Sequence, residues 1–210
     1  YFPVLRKQII HSNQGYSRQF FVRGLNKMSN TTPEVVLSYD KPTRGYLCPL
    51  SANTYGIEFL KFEIKDYDTN RVVYQVAREP DPEPLPDTLD PEVENLIRSV
   101  KYTFPASFLK FKTVRTLLEF CVGPQPVGNL RMIERHFFKD KLVRSYDFEF
   151  GFCIPNSTNS WEAIYDVPEH STAMINDYVA HPFAHKSDSF YFVDNKLIMH
   201  NKAEYQYVRE

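Results

Sequence analysis

Only seven glycines stand among 210 residues, and no Gly-rich run able to cradle a phosphate is among them. Cysteine is as scarce. Cys48, Cys121 and Cys153 lie far apart, are odd in number and form no C-x-x-C pair. That argues against a secreted disulfide framework and a thiolate zinc centre, and it points to a reducing compartment such as the cytosol. No apolar stretch approaches the roughly 20 residues of a membrane-spanning helix. Neither sign of charge is in excess: the formal net charge is −1 and the pI about 6.7, so nothing in the overall field draws the chain to nucleic acid. The sequence opens on Tyr1, not Met, and reads as a processed or partial chain.

What is abundant is aromatic: 17 Phe and 14 Tyr, residue types that favour strands and fill interiors. The stretch RSYDFEFGFCIP shows the pattern. Tyr146, Phe148, Phe150, Phe152 and Ile154 share one parity, and in a strand alternate side chains point to opposite faces, so all five are expected on one face. Further strands are read in IEFLKFEIKDYD, where Leu60, Phe62 and Ile64 alternate with Lys61, Glu63 and Lys65, and in RVVYQVA after an Asp68-Thr69-Asn70 turn, a hairpin. SVKYTF, LKFKTV, TLLEFCV, NLRMIERHFF, SFYFVDNKLIMH and AEYQYV continue the series. Two short helices interrupt it: one from Pro33, capped by Thr32 and ending before Pro42, and one in STAMINDYVAHP, stopped by Pro182. The expected fold is all-β, a β-sandwich with a short N-terminal helix and another near the C-terminus.

Two segments stand apart. Residues 1–32 carry Arg6, Lys7, Arg18, Arg23 and Lys27 and no acid, and read as a basic N-terminal arm preceding a domain over 33–210. Residues 79–94, EPDPEPLPDTLDPEVE, hold five prolines and seven acids, and read as an exposed extended loop inside that domain, neither helix nor central strand.

Candidate chemistry concentrates in RMIERHFF. Met132, Glu134, His136 and Phe138 share one face, so Glu134 and His136 can reach one ligand. Three readings fit: an acid–base pair, a structural pair at a sheet edge, or the polar contacts at the mouth of an apolar site. No nucleophile with a local activating motif accompanies the pair. His181 and His185 in HPFAH have a helical metal-ligand spacing, but Pro182 breaks that helix and no acid or Cys completes a set. Trp161, beside NSTNS, is expected in a loop. Periodicity does not separate a filled aromatic core from a hollow one.

RMIERHFFKDKLVRSYDFEFGFCIPNS and SDSFYFVDNKLIMHNKAEYQY, with TPEVVL, GYLCP and IEFLKFEIKD, resemble the uncoordinated one-nineteen family of lipid-binding chaperones, over roughly residues 32–207. Its kin include the prenyl-binding delta subunit of phosphodiesterase and the Rho dissociation inhibitors. The resemblance implies an immunoglobulin-like β-sandwich that holds an acyl chain between its sheets and catalyses nothing. It implies N-myristoylated cargo proteins, such as G-protein alpha subunits and ciliary proteins, extracted from membranes and released to an Arf-like small GTPase in the GTP state. It also implies a monomer without cofactor or metal, cytoplasmic and enriched at the base of a cilium or flagellum. A prenyl-cargo chaperone on the same fold and an adaptor without a lipid site are the alternatives.

Carried over by motif, the lipid wall comprises Phe62, Val100, Tyr102, Phe108, Tyr146, Phe148, Val167, Tyr191 and Tyr205. Glu134 and His136 match a polar pair at the pocket mouth that meets the first residues of the cargo. Tyr146 and Val167 each stand where the family has Phe, and the acidic loop and basic arm depart from its pattern. A rigid void of about 300 Å³ costs about 7 kcal/mol at about 24 cal/mol per Å³, so partial closure without lipid is expected.

Overall fold

A computed structural model describes residues 31–79 and 89–210. The basic arm, up to residue 30, and most of the Pro-rich segment lie outside the described residues. Two sheets face each other. One has four antiparallel strands, β1 (Glu58–Asp66), β2 (Val72–Ala77), β4 (Thr113–Cys121) and β7 (Thr158–Asp166), in the order β2-β1-β4-β7. The other has five: β3 (Ser99–Pro105), β5 (Val127–Phe138), β6 (Lys141–Cys153), β8 (His185–Val193) and β9 (Lys196–Val208), in the order β3-β9-β8-β5-β6. All pairings are antiparallel except β3 with β9, which run parallel. The arrangement is the expected β-sandwich, and the β1–β2 hairpin turns at Asn70 in the left-handed region, which Asn tolerates well.

The helices follow their caps. α1 (Pro33–Leu37) starts where Thr32 accepts from the Val35 N–H at 3.5 Å, with Pro in the first turn. α3 (Thr172–Ala180) is capped by Ser171, which accepts from the Met174 N–H at 3.2 Å, and it ends before Pro182. α2 (Pro91–Ile97) is a correction, because it begins inside the segment read as extended loop. Asp90 accepts from the Glu92 N–H at 2.8 Å. Pro91 occupies the first turn, and Glu92 and Glu94 sit at the positive end of the helix dipole. The acids and the last proline of the segment are helix-starting residues.

Four other readings change. LKFKTV is no strand: Ala106–Lys110 is a 3₁₀ turn, and β4 starts at Thr113. Trp161 lies on β7, not in a loop, with Trp161, Ala163 and Tyr165 facing inward between exposed neighbours. β1 bulges between Phe59 and Lys61, so Phe59 and Phe62 both face inward although their parities differ.

The last change bears on the aromatic row. Gly151 adopts φ +90°, a conformation other residues enter at a cost, and the pairing with β5 shifts register beside it. The alternation flips there: Cys153 is buried, while Phe152 and Ile154 are 61% and 64% exposed. The inward row is therefore Tyr146, Phe148 and Phe150, not five residues.

A third layer covers the outer face of the five-stranded sheet. Val36 of α1 and Cys48 of the following segment pack on Ile133, Phe190, Phe192 and Leu197. Asp188, buried on that face, accepts from the Thr43 N–H at 2.8 Å and pairs with Lys202 at 2.5 Å. It also lies 3.1 Å from His200 Nε2, whose Nδ1 accepts from the Leu47 N–H at 3.1 Å. Residues 31–52 are thus strapped across β5, β8 and β9 by apolar burial and one buried carboxylate.

Candidate functional site

Between the sheets lies a cavity of about 130 Å³. On the scale where one water needs about 10–15 Å³, it takes roughly ten water-sized groups. At one end Phe120 and Phe150 meet edge to face at 5.2 Å, and Phe150 meets Trp161 at 5.4 Å. At the other end α3 lays Tyr178 against Phe138 at 4.1 Å.

All eleven residues singled out in the sequence line this cavity. The four-stranded sheet gives Phe62, and the connection after β7 gives Val167. Phe108, from the 3₁₀ turn, reaches in beside Phe104 at 4.7 Å. β3 gives Val100 and Tyr102, and β9 gives Tyr205, which stacks on Tyr102 at 5.2 Å. β6 gives Tyr146 and Phe148, stacked at 5.7 Å, and β8 gives Tyr191. Phe150 is packed in the closed end, and Phe152 is outside.

Glu134 and His136 project from β5 into this apolar space. Ser189 donates to Glu134 Oε1 at 3.2 Å, and His136 Nε2 lies 3.5 Å from the same oxygen. Burial pushes the Glu134 carboxyl up, but the charge and hydrogen bond of His136 and the hydroxyls of Ser189 and Ser187 outweigh it, leaving a net shift below the usual carboxylate range. Glu134 is therefore a charged acceptor at neutral pH. The polar line continues: His136 Nδ1 is 3.1 Å from His185 Nε2, and His185 Nδ1 is 2.6 Å from the Tyr207 hydroxyl. Burial, then the charges of His136, Arg144 and His170, hold His185 well below its ordinary value. Burial likewise raises Tyr102, Tyr165, Tyr191 and Tyr205, so these walls stay neutral and offer rings and hydroxyls.

Several wall residues were not singled out in the sequence. Arg144 precedes Tyr146 by two, so parity alone places it inside. Trp161 and Tyr165 carry the same signal on β7. His185 was weighed only as a metal partner of His181. The structure separates the two, with His181 exposed on Asp177 at 3.0 Å and His185 in the cavity wall. Among the described residues no cluster of His, Cys, Asp and Glu forms a metal site. No described helix is long and apolar enough to cross a membrane.

A sandwich hollowed by aromatic walls, with a polar pair set into one of them, defines a class of apolar-ligand binders. The family described as "GMP-PDE, delta subunit" matches residues 51–207. Protein unc-119 of Caenorhabditis elegans is 50% identical over 176 residues, covering 84% of this chain and 79% of that protein. Protein unc-119 homolog B of Danio rerio is 48% identical over 178 residues, covering 84% and 73%. Protein unc-119 homolog B of Homo sapiens is 41% identical over 210 residues, covering 96% and 82%. The chain belongs to the GMP-PDE delta subunit family and, within it, to the unc-119 proteins.

Proposed function

We propose that this protein is a lipid-binding chaperone that takes the acyl chain of N-terminally myristoylated proteins between its sheets, carries them off membranes and yields them to a GTP-bound Arf-like GTPase. The observation that carries the reading is the aromatic cavity between the sheets with a charged Glu134 in its wall. A chain of about a dozen methylenes leaves a bilayer only for comparably apolar surroundings, at about 0.8 kcal/mol each, or roughly 10 kcal/mol in all. A surface groove does not supply that, whereas a sleeve walled on both sides by rings does. An amide-linked acyl group brings a peptide N–H to the polar step, and Glu134 is the acceptor for it.

The volume of about 130 Å³ is smaller than the about 300 Å³ expected for a full chain, and a void of that size costs only about 3 kcal/mol. Full insertion then requires the walls to part. A partner that favours the parted state expels the chain, which is the coupling a releasing GTPase needs. The edge strands β2, β7, β3 and β6 are the places where such a partner adds a strand.

The test is a titration of the purified protein with lauroyl-, myristoyl- and farnesyl-peptides of one sequence. Tightest binding of the myristoyl peptide is expected. Tighter binding of the farnesyl peptide would make this a prenyl carrier, and no binding of any of the three would remove the lipid site.

A further inference from the structure

Arg144 is the anomaly of the cavity. The guanidinium lies in the wall and donates to His170 Nε2 at 3.1 Å, yet among the described residues no carboxylate comes within 4 Å of it. Arg131, Arg115 and Arg98 are matched to Asp147, Glu162 and Glu94, and Arg135 is held by Ser145 and the Tyr39 carbonyl. Glu134 is the one acid lining the cavity, and His136 and Ser189 already engage it. Around Arg144, the Tyr178 hydroxyl is buried without a hydrogen bond, the Tyr146 hydroxyl engages Arg144 itself, and His170 engages the Leu109 backbone. They belong to one neighbourhood. His170 meets Tyr178 at 5.5 Å, Tyr178 meets His185 at 5.4 Å, and Tyr146 meets His136 at 5.7 Å.

A half-buried cation without a counter-charge loses part of its hydration uncompensated. That cost falls if the ligand brings the missing anion. A guanidinium presents a planar fork of donors that matches a carboxylate, and tyrosine hydroxyls add single donors. The rest of the cavity is an apolar space running from this corner past Phe148 and Leu118 to Trp161, and it takes a tail when the walls part. One chemical class has this shape: a single carboxylate on a long hydrocarbon tail.

We propose that Arg144, with Tyr146, forms a carboxylate site at the α3 end of the cavity, through which the protein also binds unesterified long-chain fatty acids. The tail rests on the apolar cavity of the proposed acyl-cargo function, but the head does not, because an amide-linked acyl group has no carboxylate and is read by Glu134. The site therefore gives the protein a second ligand that competes with acylated cargo.

The experiment is a set of titrations by intrinsic fluorescence and calorimetry, below micellar concentration, with sodium myristate, myristyl alcohol and a myristoyl-glycyl peptide. Wild-type protein is expected to bind myristate at least about tenfold tighter than the alcohol, the scale of one charge-assisted contact. Arg144→Gln reduces that preference below about threefold, and Arg144→Lys recovers part of it. With carboxyl-labelled myristate, the bound carbon-13 signal stays that of an ionised carboxylate to a lower pH in wild-type protein than in Arg144→Gln. Equal affinity of wild-type protein for acid and alcohol overturns the proposal, as does an unchanged preference in a folded Arg144→Gln. The peptide arm stands apart. Myristate bound with no peptide binding refutes the cargo reading and leaves this one, and the reverse refutes only the carboxylate site.

Discussion

His136 Nδ1 and His185 Nε2 lie 3.1 Å apart inside the sandwich, two imidazoles sharing one contact with Glu134 on one side and Tyr207 on the other. Burial holds His185 well below its ordinary value in this setting, and pH-dependent stability follows from it.

Burial lowers His185, His170 and His200 from their ordinary value near 6.5; the charge of Arg144 adds to this at His170, and Asp188 opposes it at His200. Above that value neither the folded nor the unfolded chain protonates them. Below it the unfolded chain takes up protons that the folded one refuses, so stability falls as pH drops, by up to about 1.4 kcal/mol per pH unit for each of the buried His185 and His200 and by less for the more exposed His170. The lowered Glu134 and Asp188 lose their contributions only below the carboxylate range, near pH 4. Thermal melts should show Tm constant from pH 8 to 7 and falling from pH 6.5 to 5. A flat profile over that interval would show that these rings are not held neutral.

Glu134→Ala removes the charged acceptor but no apolar wall. It is expected to weaken a myristoyl peptide about tenfold or more, on the scale of a lost charged hydrogen bond, and a free fatty acid much less. Equal losses for both ligands, measured in parallel titrations, would take Glu134 out of peptide recognition.

Trp161 is the only tryptophan of the chain and stands in the cavity wall beside Phe150. Entry of an acyl chain replaces any water around the indole by methylenes. A blue shift and intensity change that saturate at one equivalent of acylated peptide are expected, and Trp161→Phe abolishes the signal while leaving calorimetric binding in place.

Asp188→Ala takes the carboxylate from Thr43, His200 and Lys202 together. Removing one partner of a buried pair typically costs about 3–5 kcal/mol. Urea unfolding should show a loss of that order, with protection from proteolysis lost first in residues 39–52.

Gly151→Ala tests the reversal in β6. A Cβ there meets nothing within 4 Å, so the cost is conformational, arising from φ +90°, and about 1–3 kcal/mol is expected. A neutral substitution would mean that the bulge relaxes and Phe152 turns back toward the sheet.

Much of this was legible in the chain itself. Strict alternation in SYDFEF and RMIERHFF set the inward faces of β5 and β6, and family motifs marked the cavity wall residue by residue. The misreadings have physical causes. Register flips at the β1 bulge and at Gly151 break the period-two rule in the middle of a strand, and one glycine in a strand does not announce its φ. Pro91 was read with the prolines before it, although a proline after Asp90 opens a helix. Arg144 was visible by parity two residues from Tyr146, but its lack of an acid partner is a property of β5, β8 and α3 together. The strap over residues 31–52 depends on contacts more than 140 residues apart in sequence, such as Thr43 with Asp188, which no local pattern carries.

That strap makes the two halves of the sandwich mechanically unequal. The five-stranded sheet is clasped on both faces, by the cavity rings within and by Val36, Cys48 and Thr43 without. Among the described residues, the outer side of the four-stranded sheet carries surface polar contacts such as Arg115 with Glu162, and within the sheet its edge strand β2 pairs with β1 alone. On the proposed function, a tail that widens the sleeve would meet the strapped half as the anvil and the four-stranded half as the hinge.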